Sequence, residues 1–527
     1  MIITKFCLIG LLLLVIVIIY RTVSFKPKML TKKAKMPEYP PPTDEMIKRL
    51  QGAIQIRTVS NANYEETDLK PFDDFVEYVG KTYPLLHKSL EFTRVNTYGL
   101  VYKWNGTSKK MLPILFTSHY DVVRVEPGTE SLWKYPCFSG QVAEGRFWGR
   151  GTLDDKSQVI AHMESIEKLL KEDFKPDRDI YFAFGFDEEV GGKQGATNIA
   201  KYFHSKGIRF DGVYDEGGFV VQGVIPGVKS PIAVVGVAEK GAANFEISVK
   251  SPGGHSSMPP QHTAIGILSS CITKLEAHPR PAVLTSVVRE LLENICIEMG
   301  LMVKVAVANL FLFEPVIKSI LGKNESTNSI IRTTFAATMM KGSEQPNMLP
   351  QHATAIVNCR ILPTDSAKNA QNYIERVIGA TSSDSDCSLK NSSSSASSSS
   401  TTITTTTTSS KNATGMSITV RPILAEEPSP VSPTNCKAYE RLVNSIGKVF
   451  PGVITSPFLV MGGTDGAKYY LVSDNVYRFT PMLVSNRDKE TLHSTNESLT
   501  LENYSRMIAF FCDMYKTCSS NEEEKDK

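Results

Sequence analysis

From Asp44 onward the chain alternates short apolar runs with stretches of helical periodicity. MLPILFTSHYD is followed by a periodic stretch over 158–170, then DIYFAFGFDEE, a second periodic stretch over 196–204, and FDGVYDEGG. Short apolar runs closed by turn residues read as buried strands, so the alternation predicts βαβ units around a mostly parallel sheet flanked by helices. In such sheets the working side chains gather at the carboxyl ends of the strands. Most of these runs end in His, Asp or Glu. Near Pro231 the texture changes to alternating segments such as NFEISVKS and ATAIVNCRILP, which predict a smaller α+β insertion over 236–363. Helix and strand alternation returns from about Thr434.

The expected organisation is therefore a two-domain α/β protein. Its first domain is formed by 44–235 and 364–515 and is interrupted by the insertion. Residues 382–414 are nearly all Ser and Thr and cannot bury enough apolar surface to order themselves, so they read as a disordered surface insertion. The Lys- and Pro-rich stretch 31–43 reads as a tether, and 516–527 as a tail.

At 527 residues the chain exceeds one ordinary core. A net charge of +3 leaves no nucleic-acid footprint. Nine cysteines lie without a CxxC pair, so a bound metal would have to be held by His and carboxylates. Within 1–30 an apolar run from Phe6 to Tyr20 follows Lys5 and precedes Arg21, Lys26 and Lys28. Its length suits either a cleaved signal peptide, with Thr22-Val23-Ser24 as the cleavage region, or a retained anchor through residues 6–20. The basic residues after the run outnumber the one before it, which disfavours an anchor that leaves the body outside. A cleaved signal removes that conflict. Six N-x-S/T sequons, at Asn105, Asn324, Asn391, Asn412, Asn496 and Asn503, are compatible with a lumenal or extracellular body.

In FTSHYDVV, His119 and Asp121 are two apart and project from one side of an extended segment. Asp121 can then hold one imidazole nitrogen while the other faces a metal. In GRGTLDDKS, one of Asp154 and Asp155 can cap a helix and leave the other free. Asp187, Glu188 and Glu189 end an apolar run; three adjacent carboxylates repel, and a cation removes that cost. Of Glu188 and Glu189, one can ligate while the other takes a proton. Asp215 and Glu216 follow a further strand, and TLHSTNE adds His493. Nitrogen and oxygen ligands without thiolate suit zinc, with cobalt or manganese as substitutes.

Taken in order, SHYDVV, GRGTLDDKS, DEEVGG, YDEGG, GGHSSMPP, GGTDGAKYY and LHSTNE resemble the motifs of the aminoacylase and carboxypeptidase family of co-catalytic zinc exopeptidases. The resemblance runs from about Gly52 to Cys512. It implies two zinc ions, one on His119 and Asp215 and one on Glu189 and His493, bridged by Asp154. Asp121 would orient His119, and Glu188 would be the general base. Glu216 competes for the Asp215 role, since it follows directly. The insertion would be the family's lid or dimerisation domain, with a homodimer as the implied assembly. On it, His255 would stabilise an oxyanion and Asn347 and Arg360 would engage a substrate carboxylate; Gly463 and Thr464, in the later GGTDGAKYY motif, would line the same pocket.

QGAIQIRTVS, NLFLFEPVI, IIRTTFAATM and VYRFTPM carry a closer likeness to members that hydrolyse and form N-fatty-acyl amino acids. The implied reaction is metal-dependent hydrolysis of N-acyl amino acids, with carboxypeptidase action on small peptides as the alternative. A metal-free relative acting as a binding or carrier protein is the alternative of another class. The apolar stretch 300–321 reads as core helix and strand of the lid; a sharper reading gives Leu310, Phe311, Leu312 and Phe313 contact with a long acyl chain.

Overall fold

The computed structural model describes residues 2–27, 36–223, 225, 227–380, 410–411 and 416–519. They fall into two compact units: 1–237, 286–314 and 431–527 form the larger, 238–285 and 315–430 the smaller. The smaller unit thus extends past residue 363. Helix Ala367–Ile378 and strand Ser417–Glu426 complete its layers. Residues 286–314 pack with the larger unit, where helix Ser286–Ile295 lies against strand Ile454–Val460.

The larger unit is built on a ten-stranded mixed sheet. At its centre Ile180–Gly185, Ile114–His119, Gly212–Asp215 and Val476–Arg478 run parallel in that order. Antiparallel strands Glu91–Val95 and Gly99–Trp104 extend one side, and Ile232–Glu239 pairs antiparallel on the other. The central strands Ile114–His119 and Ile180–Gly185 are buried at every residue, which is why they read as continuous apolar runs. Helices Lys156–Lys171 and Leu501–Ser519 pack together against Phe116 and Phe182. Helix Ala196–Ser205 joins a separate cluster with Leu115, Ala183 and Val213, residues one step along the same strands and so on the opposite face.

The first helix of the body is Asp44–Gln55, where the Thr43 hydroxyl accepts from Met46 N at 3.3 Å and acidic residues fill the first turn. The 158–170 and 196–204 periodicities form helices Lys156–Lys171 and Ala196–Ser205. The tail begins later than expected, because helix Leu501–Ser519 runs on through Lys516. The Ser/Thr-rich stretch lies outside the described residues except Ser410–Lys411, which pair with Ser417 and Ile418. The sequons at Asn391 and Asn412 also lie outside them. Asn503 is buried, with its side chain accepting from Leu483 N and donating to Leu483 O, both at 3.0 Å. That sequon is a fold contact closed to glycan attachment.

In the smaller unit, Thr334–Lys341, His352–Ile361, Gly241–Lys250 and Ser417–Glu426 form an antiparallel sheet. Along His352–Ile361 the alternate residues Ala353, Ala355, Val357, Cys359 and Ile361 are buried. They join a core with Phe245 and Ile247 that helices Ala264–Ala277 and Ala367–Ile378 cover.

The stretch 300–321 departs from its expectation. It forms two helices, Leu301–Ala308 and Leu310–Leu321, with no strand. Only part of it is core: Leu310 is buried, whereas Phe311 is 59% and Leu312 41% exposed. Helices apolar on all sides have more apolar surface than one neighbour can cover.

Candidate metal centre

The parallel register places the chemistry. His119 ends its strand directly beside Gly185, and the turn after Gly185 carries Glu188 and Glu189. Glu216 follows the end of the next parallel strand. Asp154 precedes helix Lys156–Lys171, across a cis peptide to Asp155. His493 lies just beyond helix Asn486–Thr491 at φ 57°.

Two groups of ligand atoms result, His119 with Asp154 and Glu216, and Asp154 with Glu189 and His493, the atoms of each lying within 4.8 Å of one another. Asp154 belongs to both. Its Oδ1 is 2.9 Å from His119 Nε2 and its Oδ2 is 2.9 Å from His493 Nε2. His493 Nε2 is also 3.2 Å from Glu189 Oε2, and His119 Nε2 is 3.7 Å from Glu216 Oε1. Glu188 Oε2 lies 3.8 Å from His119 Nε2 and belongs to neither group.

Asp121 holds this arrangement from behind. Its Oδ1 is 3.3 Å from His119 Nδ1, and its carboxylate accepts from Ser60 Oγ at 2.7 Å and from the N–H groups of Glu188 and Glu189 at 3.1 and 3.2 Å. One buried carboxylate therefore orients the imidazole and fixes the turn that carries two further acids.

Asp215 faces elsewhere. Its Oδ2 accepts from Gly466 N at 2.6 Å, and its strand pairs with Val476–Arg478. The structure brings Glu216, in place of the expected Asp215, into the first group. Successive side chains at a strand end point to opposite sides, so only one of two adjacent acids can face the centre.

The electrostatics favour a cation. Burial pushes the Glu188 carboxyl well above its usual range; His119 opposes this, while Asp465, Glu189 and Asp154 reinforce it. Burial likewise raises Glu216 and Glu189, with Asp154 adding to both. Burial lowers His119, but hydrogen bonds to Asp121 and Asp154 outweigh it and the net direction is upward. His493 is raised to about 10 by its hydrogen bonds to Asp154 and Glu189. Glu189 Oε1 is buried without a hydrogen-bond partner among the described residues. An excess of buried carboxylates, an orphaned oxygen and two imidazoles without thiolate fit divalent metal ions of the zinc type.

Two contributors went unrecognised in the sequence. Glu497 is fully buried; its Oε2 pairs with Arg150 Nη1 at 2.5 Å and its Oε1 accepts from Gly151 N at 3.0 Å and Leu153 N at 2.8 Å. It shapes the turn that delivers Asp154. Its signal was its place four residues after His493, in the same TLHSTNE motif. Asp465 is buried with its carboxylate against Gly185 and Gly192, where a Cβ on either glycine would collide with it. In the same segment Gly463 is exposed, and Thr464 Oγ1 accepts from Gly466 N at 3.2 Å and Arg478 Nε at 3.3 Å.

His255, Asn347 and Arg360 belong to the smaller unit. Strand Gly254–His255 pairs with Met348–Leu349, and Ser256 N donates to Asn347 O at 3.1 Å, so His255 and Asn347 are neighbours. His255 Nδ1 accepts from Ser257 N at 3.2 Å, which leaves the ring proton of the neutral form on Nε2. Arg360 is half-buried on the sheet face opposite the core, in register with Ala242 and Thr334.

Residues 115–517 match the model of peptidase family M20/M25/M40. The chain belongs to this family and is a metal-dependent hydrolase of amide bonds. It is 35% identical over 521 residues to a probable carboxypeptidase S-like 2 of Dictyostelium discoideum, covering 98% of this chain and 93% of that one. The human N-fatty-acyl-amino acid synthase/hydrolase PM20D1 is 31% identical over 484 residues, with 91% and 88% covered. Carboxypeptidase S of Saccharomyces cerevisiae is 33% identical over 499 residues, with 88% and 82% covered. Among solved structures, an M20 family metallo-carboxypeptidase from Sulfolobus solfataricus superposes with a TM-score of 0.61 at 17% identity, covering 90% of this chain and 99% of that one, and so shares the fold.

Proposed function

We propose that the protein hydrolyses N-acyl amino acids, with long-chain N-fatty-acyl amino acids as the preferred class, and catalyses the reverse condensation when fatty acid is abundant. The observation that carries the metal chemistry is Asp154, one carboxylate shared by two ligand groups. The acyl class rests on likeness to N-fatty-acyl-amino acid synthase/hydrolase.

His119, Asp154 and Glu216 would hold one zinc ion, and Asp154, Glu189 and His493 the other. Bound there, the pair would supply Lewis acidity and a water of lowered pKa. Glu188 is the base: it lies 3.8 Å from His119 Nε2 yet belongs to neither ligand group, which leaves its carboxylate to take a proton from the attacking water and return it to the leaving nitrogen. Water adds to the amide carbon, the C–N bond breaks, and a fatty acid and a free amino acid leave. Asp121 keeps His119 in one tautomer. In this reading His255 Nε2–H donates to the oxyanion. Arg360 and Asn347 would engage the substrate's carboxylate, a task suited to a planar guanidinium.

A second reading, carboxypeptidase action on small peptides, is favoured by the likeness to carboxypeptidase S and its relatives. A release assay across N-oleoyl, N-acetyl and peptide substrates sharing one C-terminal residue, with and without chelator, separates the two. The proposal expects the N-oleoyl substrate to be turned over best and chelator to abolish release. Preference for the peptide would move the assignment to the second reading. Helix Ile2–Ser24 would direct the body to the secretory pathway either as a cleaved signal or as a retained anchor, and Asn105 is exposed.

A further inference from the structure

The N-terminal apolar helix is tied to the body by specific polar contacts. Along Ile2–Ser24 nearly every side chain is exposed, but Leu14 and Ile18 are half-buried and Thr22 is buried, a stripe with a spacing of four. This helix packs on helix Leu301–Ala308 of the same unit. At the end of that second helix, the fully buried Asn309 donates to Thr22 Oγ1 at 3.1 Å and Ile18 O at 3.4 Å. Arg21 Nε donates to Ala308 O at 3.1 Å, and its guanidinium lies 5.4 Å from the centre of the Phe311 ring. Arginine on a helix's last carbonyls satisfies groups left open there.

These contacts fall where the sequence offered a cleavage region. Thr22-Val23-Ser24 is helical and Thr22 is enclosed, so a cut after Ser24 would take both Thr22 Oγ1 and Ile18 O away from the Asn309 amide. The 22-residue apolar stretch Ile3–Ser24 is about 33 Å long as a helix, enough to cross a hydrocarbon core of about 30 Å. The stripe from Leu14 to Thr22 covers about 12 Å of that length, and Leu301–Ala308 is itself about 12 Å long. A helix alongside that stripe lies at the same depth. Its far end carries Leu301 and Met302, 70% and 80% exposed, and Phe311 beyond Asn309 is also exposed. Lys304 is half-buried on a stem long enough to carry its charge to the headgroups.

The geometry points to a second membrane contact: helix Ile2–Ser24 remains on the mature chain as an anchor, and Leu301–Ala308 enters the same leaflet beside it, with Leu301 and Met302 in lipid and Phe311 beside Arg21 at its edge. The occupant of this apolar surface is the bilayer, because the anchor it packs on spans the bilayer at that level. The inference is independent of the metal and substrate assignments.

Tryptophan fluorescence of the full chain in lipid nanodiscs tests it. The three native tryptophans, Trp104, Trp133 and Trp148, are buried, so Leu301→Trp or Met302→Trp adds a distinct reporter. Lipids brominated in mid-chain should remove most of the added emission and aqueous iodide should leave it unchanged. Glu126→Trp, on an exposed loop, should show the reverse. Three results would overturn the inference. One is quenching at residue 301 by iodide and not by brominated lipid. Another is protection from both quenchers with crosslinking between copies at residue 301, which would make the surface a self-association site. The third is an intact-mass measurement showing that the chain begins after Ser24, since the Leu14 to Thr22 stripe sets the depth.

Discussion

Asp154 and His493 meet at 2.9 Å across 339 residues of chain. Asp154 belongs to a turn before a helix, His493 to a loop near the end of the chain, and the contact exists because Glu497 links the two segments. Glu497 holds Arg150 and the N–H groups of Gly151 and Leu153 while lying four residues from His493. Replacing it with Gln leaves the buried Arg150 charge uncompensated. Glu497→Gln should lower stability by about 3 kcal/mol or more and weaken metal affinity by about 10- to 100-fold, although it touches no ligand atom. Thermal unfolding and competition with a chelator measure the two effects. An unchanged metal affinity would remove its positioning role.

Glu188→Gln preserves shape and removes the proton acceptor. The expected loss in kcat is about 100- to 10,000-fold, with KM and metal content close to wild type. Elemental analysis and steady-state kinetics decide the matter: a variant with full metal and near-normal turnover would transfer the role of base to another group.

Adjacent acids give opposite expectations. Glu216→Ala should reduce bound metal and leave the metal-free protein as stable as wild type or more so, because it removes a carboxyl whose ionised form burial disfavours. Asp215→Ala should instead lower the melting temperature of the metal-free protein, because Asp215 accepts from Gly466 N in the 464–467 turn. Metal loss in Asp215→Ala without destabilisation would restore Asp215 as the ligand.

His162 supplies a pH dependence unconnected with the metals. Burial pushes its imidazole down to about 3; Nδ1 is 2.5 Å from Tyr515 Oη and the ring lies 3.8 Å from that of Phe511. The folded value lies below the unfolded one, about 6.5, so the unfolded chain binds the extra proton between them. The stabilisation is fully present above about pH 6.5 and is lost as pH falls toward 3, by on the order of 5 kcal/mol. Denaturant unfolding of wild type and His162→Gln across this range should show a difference that narrows as pH falls. A constant difference would contradict a neutral buried imidazole.

The sequence by itself determined the alternation of strands and helices, the order of the motifs and the kinds of ligand atom. These are local properties: continuous apolar runs mark the buried strands Ile114–His119 and Ile180–Gly185, and acids cluster at strand ends. It also put His119 and Asp121 on one side of an extended segment, and the fold sets Asp121 Oδ1 3.3 Å from His119 Nδ1. Which of Asp215 and Glu216 faces the centre was decided by the direction of a strand end against Val476–Arg478, a pairing between segments far apart in sequence. Glu497 could not be separated from an ordinary surface acid until the fold enclosed it with Arg150. The run 300–321 shows the same limit. Its composition fixed that it is apolar, but only tertiary packing decided that Leu310 is buried and Met302 exposed, because hydrophobicity states a preference for leaving water and contacts settle which surface is covered.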